Sequence, residues 1–217
     1  MNKKTLILFT GPSTAGKTTF TQLLLNIDPN LFPVIQTSCR APRTDDDYRF
    51  LRLCSKEDYN QQEFWVKSKD YGILKKDIRT FLLNNRQIGI GISGVREAIL
   101  AKELLQNDID IKIALVRLSS DPTQEEQLVT ENILTFFENP EVRIEQNRRH
   151  IREFFANDQF IHQYVDLILA RDTSLLSRIQ SFGQIFNSKA CQTVTPNTLI
   201  TFQKQLLIRQ KHFDKKL

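Results

Sequence analysis

The chain has 217 residues, 40% of them hydrophobic and 25% charged, with a formal net charge of +5. That length suffices for one large α/β domain with small appended subdomains and for a real buried core. The basic excess suits a protein that handles phosphate anions, but it is spread too evenly to argue for nucleic acid, and no stretch approaches the ~20 apolar residues of a membrane span.

In chain order, apolar runs at 5–10 (TLILFT), 33–37 (PVIQT), 87–92 (QIGIGI), 111–118 (IKIALVRL) and 165–170 (VDLILA) are the predicted strands. Several are almost continuously apolar, as in a parallel sheet buried on both faces. Helical spacing fills 17–26, 75–85, 94–106 and 141–156, and the alternation predicts a doubly wound α/β fold. Residues 123–150 are polar and charged with helical spacing and no strand, which reads as a mobile helical subdomain. Over 195–217, Thr195 as N-cap, Pro196 at the first helical position and apolar residues at Leu199, Phe202, Leu206 and Phe213 predict a terminal amphipathic helix.

The apolar run at 6–9 behind Lys3 and Lys4 is too short for a signal peptide and leads straight into a glycine loop. Cys39, Cys54 and Cys191 lack metal-ligand spacing and read as reduced thiols, so the chain is expected to be cytoplasmic. His150, His162 and His212 are scattered without ligand partners, and TDDDY (44–48) lacks the glycine and terminal glutamate of a calcium loop. Phe136, Phe137, Phe154, Phe155 and Phe160 read as a helix-packing face rather than a base-stacking platform.

The most informative stretch is GPSTAGKTT, in which Gly11, Gly16, Lys17 and Thr18 meet the spacing G-x-x-x-x-G-K-[ST]. Glycines let the backbone curl so that successive N–H groups face phosphate oxygens, and the helix that follows adds its positive end. Lys17 would reach the β- and γ-phosphates, and the Thr18 hydroxyl would ligate Mg²⁺. A predicted strand before and helix after favour this reading over a chance turn, so Gly11, Pro12, Ser13, Thr14, Ala15, Gly16, Lys17, Thr18 and Thr19 are the candidate ATP·Mg²⁺ site.

Downstream, TSCRAPRTDDDYRFL (37–51) holds Arg40, Arg43 and Tyr48. Two guanidinium groups that close can grip a phosphate dianion, and a tyrosine hydroxyl adds a donor; a solvated charged loop has the same composition.

GPSTAGKTT, then TSCRAPRTDDDYRF, then DYGI (70–73), is similar to the guanylate kinase family of nucleoside monophosphate kinases, in order and approximate spacing, over residues 5–172. The resemblance implies a P-loop NTPase fold with a five-stranded parallel sheet flanked by helices. It implies a kinase domain over 1–189, an acceptor-binding subdomain over 37–80, a lid over 123–150, and a C-terminal helical extension over 190–217. Arg40, Arg43, Tyr48 and Tyr71 would hold the acceptor's phosphate. VRIEQNRRHIRE (142–153) resembles the helix returning from the lid, so that Arg148 and Arg149, with Arg143 as a further candidate, would join Lys17 in stabilising the transferring phosphoryl group.

The chain also departs from that family. ENILTFFENP carries no arginine at the start of the lid, Phe64–Trp65 stand where the guanine-reading carboxylate would fall with Glu63 one residue away, Ile73 replaces a serine, and no acid precedes Gly94. ISGVRE (92–97), with Ser93 and Arg96, resembles instead ribose 1,5-bisphosphate phosphokinase. The expected function is phosphoryl transfer from ATP to a phosphorylated small molecule, foremost a nucleoside monophosphate. A sugar phosphate acceptor and a catalytically degenerate nucleotide- or protein-binding module are the alternatives. No membrane partner is expected, and monomer and homodimer are both open. A nucleotide switch or nucleic-acid ATPase is disfavoured by the lack of an acid ending an apolar strand and of a basic stripe.

Overall fold

The computed structural model describes residues 3–42, 48, 50–104, 109–137 and 140–201. The chain begins with β1 (Lys4–Thr10), α1 (Lys17–Ile27) and β2 (Leu31–Pro33). An inserted unit follows: β3 (Gln36–Ser38), β4 (Leu51–Leu53), α2 (Lys56–Gln61), β5 (Phe64–Lys67), β6 (Tyr71–Leu74) and α3 (Lys75–Leu83). The chain then returns through β7 (Ile88–Ile92), α4 (Val95–Leu104) and β8 (Ile109–Arg117) to a helical stretch, α5 (Pro122–Phe136), α6 (Glu141–His150) and α7 (Asp158–Tyr164), before β9 (Leu167–Ala170), α8 (Leu175–Phe186) and α9 (Lys189–Gln192).

Five strands form a wholly parallel sheet in the order β2-β7-β1-β8-β9. Helices cover both faces, and β1 shows why its sequence has no polar alternation. Ile7 and Phe9 pack into the core with α1, α5 and α8, while Leu6 and Leu8 pack on the other face with residues of α3 and α4. All four side chains are fully buried, as expected of a central parallel strand. Phe9 stacks on Phe182 at 5.9 Å and meets Phe20 edge-on at 6.0 Å, tying β1 to α8 and α1.

The predicted strand 33–37 is corrected: it divides between two sheets. Val34 N still donates to Ile90 O at 2.8 Å in the large sheet, whereas Gln36 N donates to Phe50 O at 2.7 Å beside the small one. Pro33, with no N–H to give, ends the edge strand β2, and the chain crosses over. The second sheet has the order β4-β3-β6-β5. It is fixed to α3 by a forked ion pair, with Arg52 Nη1 and Nη2 donating to Asp77 Oδ2 and Oδ1 at 2.8 and 3.0 Å.

Polar residues start the helices where the sequence supplies them. Asp121, Asn157 and Ser174 accept from the backbone N–H of Gln124, Phe160 and Ser177 at the starts of α5, α7 and α8. The predicted helix 141–156 changes character at Ile151, where α6 gives way to a π-helical turn over Ile151–Phe155. Of the predicted aromatic face, Phe155 and Phe160 are buried but Phe136 is exposed. The tail is helical to Thr201 with Leu199 buried; residues 202–217, including Phe202, Leu206 and Phe213, lie outside the described residues. No helix among the described residues is long and apolar enough to cross a membrane.

Phe182 has no exposed surface and joins α8 to β1. Phe182→Ala is expected to destabilise the protein by about 3–5 kcal/mol through lost burial and an unfilled cavity, read as a lowered midpoint in urea unfolding; a loss under about 1 kcal/mol would show that this contact does not hold α8.

Candidate functional site

The loop that joins β1 to α1 is set by its two glycines. Gly11 has φ +140°, and a Cβ there would lie 2.1 Å from the Val116 carbonyl oxygen of β8, so no side chain fits. Gly16 has φ +86° and opens α1 from the left-handed region. Thr14, between them, also has a positive φ of +66°, and its hydroxyl donates to Ser13 O at 2.5 Å. The N-terminus of the 11-residue α1 has no side-chain cap and no acid in its first turn, so its leading N–H groups remain for an anion. Pro12 and Ala15 are buried within the loop, Thr18 is half-buried and Thr19 exposed.

Lys17 is folded back under this loop. Its Nζ donates to Gly11 O at 2.9 Å and Pro12 O at 2.7 Å. Although the residue retains some exposed surface, the ammonium is enclosed, and burial lowers its pKa to about 8, partly offset by the field of Glu125. These features fit the polyphosphate of a nucleotide: a glycine that can carry no Cβ, an uncapped helix start, and a cation whose present hydrogen-bond partners are neutral carbonyls. Bound Mg²⁺ would rest on Thr18 and on the phosphate oxygens. Among the described residues there is no cluster of three or more His, Cys, Asp or Glu that could hold a metal by itself.

Three further residues surround the loop and carry no motif spacing. Asn147 of α6 is buried; its Oδ1 accepts from Ser13 N at 2.7 Å, while its Nδ2 donates to Arg143 O at 2.7 Å and Ser13 Oγ at 3.3 Å. Glu125 of α5 is fully buried, with Oε2 accepting from Ser119 N at 2.6 Å and Oε1 without a hydrogen bond. Burial holds its carboxyl above the usual range. Arg117, the last residue of β8, is buried with Nε and Nη2 lacking hydrogen-bond partners, within the electrostatic reach of Glu125 and Asp172. Helix amphipathicity or a lone charge in an apolar strand is the only sequence trace of these three; Arg117, a cation ending an apolar run, was the most visible.

The predicted lid arginines take other partners. Arg148 Nε lies 3.2 Å from Glu126 Oε1, which also binds Arg152 Nη2 at 3.1 Å, and Arg149 Nε donates to Glu153 Oε1 at 2.6 Å. The guanidinium of Arg143 lies over the Phe137 ring at 3.9 Å. At the small sheet, Tyr71 on β6 pairs with Ser38 on β3, so Tyr71 and Arg40, two residues past Ser38, come to one end of that sheet. Arg40 Nη1 donates to Ala41 O at 2.7 Å, and Tyr48 is exposed in the connection between β3 and β4. Arg43 lies outside the described residues. Glu63 is an exposed partner of Lys75 at 3.6 Å, and Arg96 pairs with Glu153 at 3.6 Å while Ser93 is buried at the end of β7.

No protein-family model matches the chain, and no curated protein does. Among solved structures, guanylate kinase from Anaplasma phagocytophilum is similar with a TM-score of 0.56 at 12% identity, over 92% of this chain and 95% of that one. A fungal RNA kinase gives a TM-score of 0.47 at 17% identity over 94% and 98%, and a sugar kinase from Janibacter sp. gives 0.42 at 10% over 88% and 99%. The fold shared with the guanylate kinase is an α/β chain with a five-stranded parallel sheet flanked by helices.

Because Lys17 titrates near pH 8 in the folded protein, against an ordinary 10.5, the penalty of burying its charge is full below pH 8 and is relieved as pH rises toward 10.5. An anion in the loop needs the ammonium form. Binding of inorganic tripolyphosphate is therefore expected to weaken above pH 8, by up to about tenfold per pH unit, with proton uptake seen as buffer-dependent heat in calorimetry. Lys17→Met should flatten the profile; a wild-type affinity independent of pH from 7 to 10 would contradict the buried-ammonium account.

Asn147→Ala removes the acceptor from Ser13 N and the donor to Arg143 O. The expected loss is about 1–3 kcal/mol, with faster amide exchange at Ser13; unchanged exchange there would mean that Asn147 does not restrain the loop.

Proposed function

We propose that the protein is an ATP-dependent P-loop phosphotransferase acting on a phosphorylated small molecule. The observation that carries this reading is the loop from Gly11 to Thr18: a glycine with no room for a side chain, a left-handed glycine opening an uncapped helix, and an ammonium bound only to loop carbonyls. In this reading the leading N–H groups of α1 and Lys17 hold the β- and γ-phosphates of ATP, with Thr18 on the side of the metal. Mg²⁺ would be held by Thr18 and would supply positive charge against the negative charge developing in transfer. Arg40, Arg43, Tyr48 and Tyr71 hold the acceptor's phosphate, and Arg148 and Arg149 reach the transferring group by exchanging their carboxylate partners for it. Phosphoryl transfer rests on alignment and charge stabilisation, so no general base is required of the protein.

A nucleoside monophosphate is the first acceptor to test. A sugar phosphate is the second reading, favoured by the exposed Glu63, whose carboxylate is paired with Lys75 and leaves no buried acid in that stretch to read a base edge.

The test is ADP release from ATP·Mg²⁺ with GMP, dGMP, AMP, UMP, CMP, ribose 1,5-bisphosphate and no acceptor. One acceptor should stimulate release, Lys17→Ala should abolish it, and Arg40→Ala should raise the acceptor KM about 10- to 100-fold with ATP affinity kept, as for a lost charge-assisted phosphate contact. Equal turnover in Lys17→Ala would refute the loop's role. ATP binding without turnover on any acceptor would favour a binding module.

A further inference from the structure

Two of the three cysteines meet at one end of the small sheet. β3 and β4 are parallel and in register to Ser38 and Leu53, so the next residues, Cys39 and Cys54, stand across from each other. Cys54 N donates to Ser38 O at 3.1 Å, which extends the ladder to that point, while Cys39 N donates to Asp70 O at 3.2 Å. Paired strands run about 4.8 Å apart, and a disulfide spans Cα separations of about 4.4–6.8 Å. Opposed residues of neighbouring strands project to the same face, and both thiols are free and partly exposed.

The Cys39 sulfur lies between an ammonium and a carboxylate. Lys56 Nζ lies 3.4 Å from this sulfur and 3.0 Å from Asp70 Oδ1, so an ammonium stands ready as counter-ion to a thiolate. Asp70 Oδ1 accepts from the same sulfur at 3.7 Å. The Cys54 thiol is held above the usual range, chiefly by burial and next by Cys39, and suits the second, resolving role. Cys191 is fully buried and pushed up to about 11, which makes it an internal control.

We infer that Cys39 and Cys54 are an oxidation site, closing to a reversible disulfide that staples β3 to β4. With hydrogen peroxide as oxidant, the Cys39 thiolate attacks a peroxide oxygen, the O–O bond breaks, and Cys39 becomes a sulfenic acid with release of hydroxide, which takes up a proton. The Cys54 sulfur then attacks the Cys39 sulfur, the S–O bond breaks, and a second water leaves. In sum, two thiols and one peroxide give one disulfide and two waters. A small-molecule thiol reverses it by exchange, as expected for a partly exposed bridge. Resting on the proposed function, the staple encloses 40–53, with Arg40, Arg43 and Tyr48, and so acts on the acceptor and not on the ATP loop.

The full-length chain, kept folded and treated with stoichiometric hydrogen peroxide, should lose two thiols without dimerising. Trypsin should then release residues 18–40 linked to 53–56, a link that dithiothreitol removes. Cys54→Ser should trap Cys39 as a sulfenic acid that reacts with dimedone. Cys39 and Cys54 both remaining thiols, or linking only between chains, would overturn the inference, as would oxidation of Cys191 ahead of either. If the disulfide forms, the acceptor KM should rise severalfold on oxidation while ATP affinity holds. A disulfide with no turnover in either state would count against the kinase reading and leave the redox site standing.

Discussion

The contact between Gly11 and the carbonyl of Val116 governs the working edge of the large sheet. β1 and β8 pair in register from Lys4↔Ile109 to Thr10↔Leu115, and the ladder delivers Gly11 against β8 at a distance that admits no Cβ. The chain can leave the sheet there only with φ +140°, and it enters α1 only through a second left-handed glycine. The direction of α1 follows, and with it the position of Phe20 on Phe9 and the path of the leading N–H groups. Fold and site thus share one steric origin: the backbone that ends the central strand is the backbone that can face phosphate.

Four strands of the large sheet, β1, β7, β8 and β9, are legible in the sequence as apolar runs, which in β1 follow from burial on both faces. The alternation with helices then fixes the class. The small sheet is less legible, since β3, β4 and β6 are three or four residues long and carry polar members such as Gln36, Arg52 and Tyr71. No period can be read from so few positions. The run at 33–37 misleads for a related reason, because Val34 is buried beside the large sheet while Thr37 is buried in the small one, and hydrophobicity does not say which sheet claims a residue.

The loop is legible because its chemistry is local: the spacing within 11–18 is itself the geometry. Its surroundings are not, because they are tertiary. Asn147 meets Ser13 across 134 residues, and nothing in EQNRRH distinguishes it from the arginines beside it. On α6 the successive residues Asn147, Arg148 and Arg149 point about 100° apart: the asparagine faces the loop, Arg148 faces Glu126 of α5, and Arg149 faces Glu153 one turn on. The likeness draws attention to this helix, while its rotation, set by packing, determines that Asn147 is the side chain that touches the loop.

The register of β1 has a consequence for the nascent chain. Its two ladder partners begin at Ile88 and Ile109, so the central strand is synthesised long before either exists. At ribosomal rates of about 5–20 residues per second, the run Leu6–Phe9 waits for roughly 4 to 20 s with its edges unpaired. It is wholly apolar, and each edge is a template for foreign strands. The lysines at 3 and 4 and the glycine at 11 bracket this run. Charge at one end and a turn at the other keep it short, so the composition that announces the phosphate loop also limits the strand's exposure to misassembly before its partners arrive.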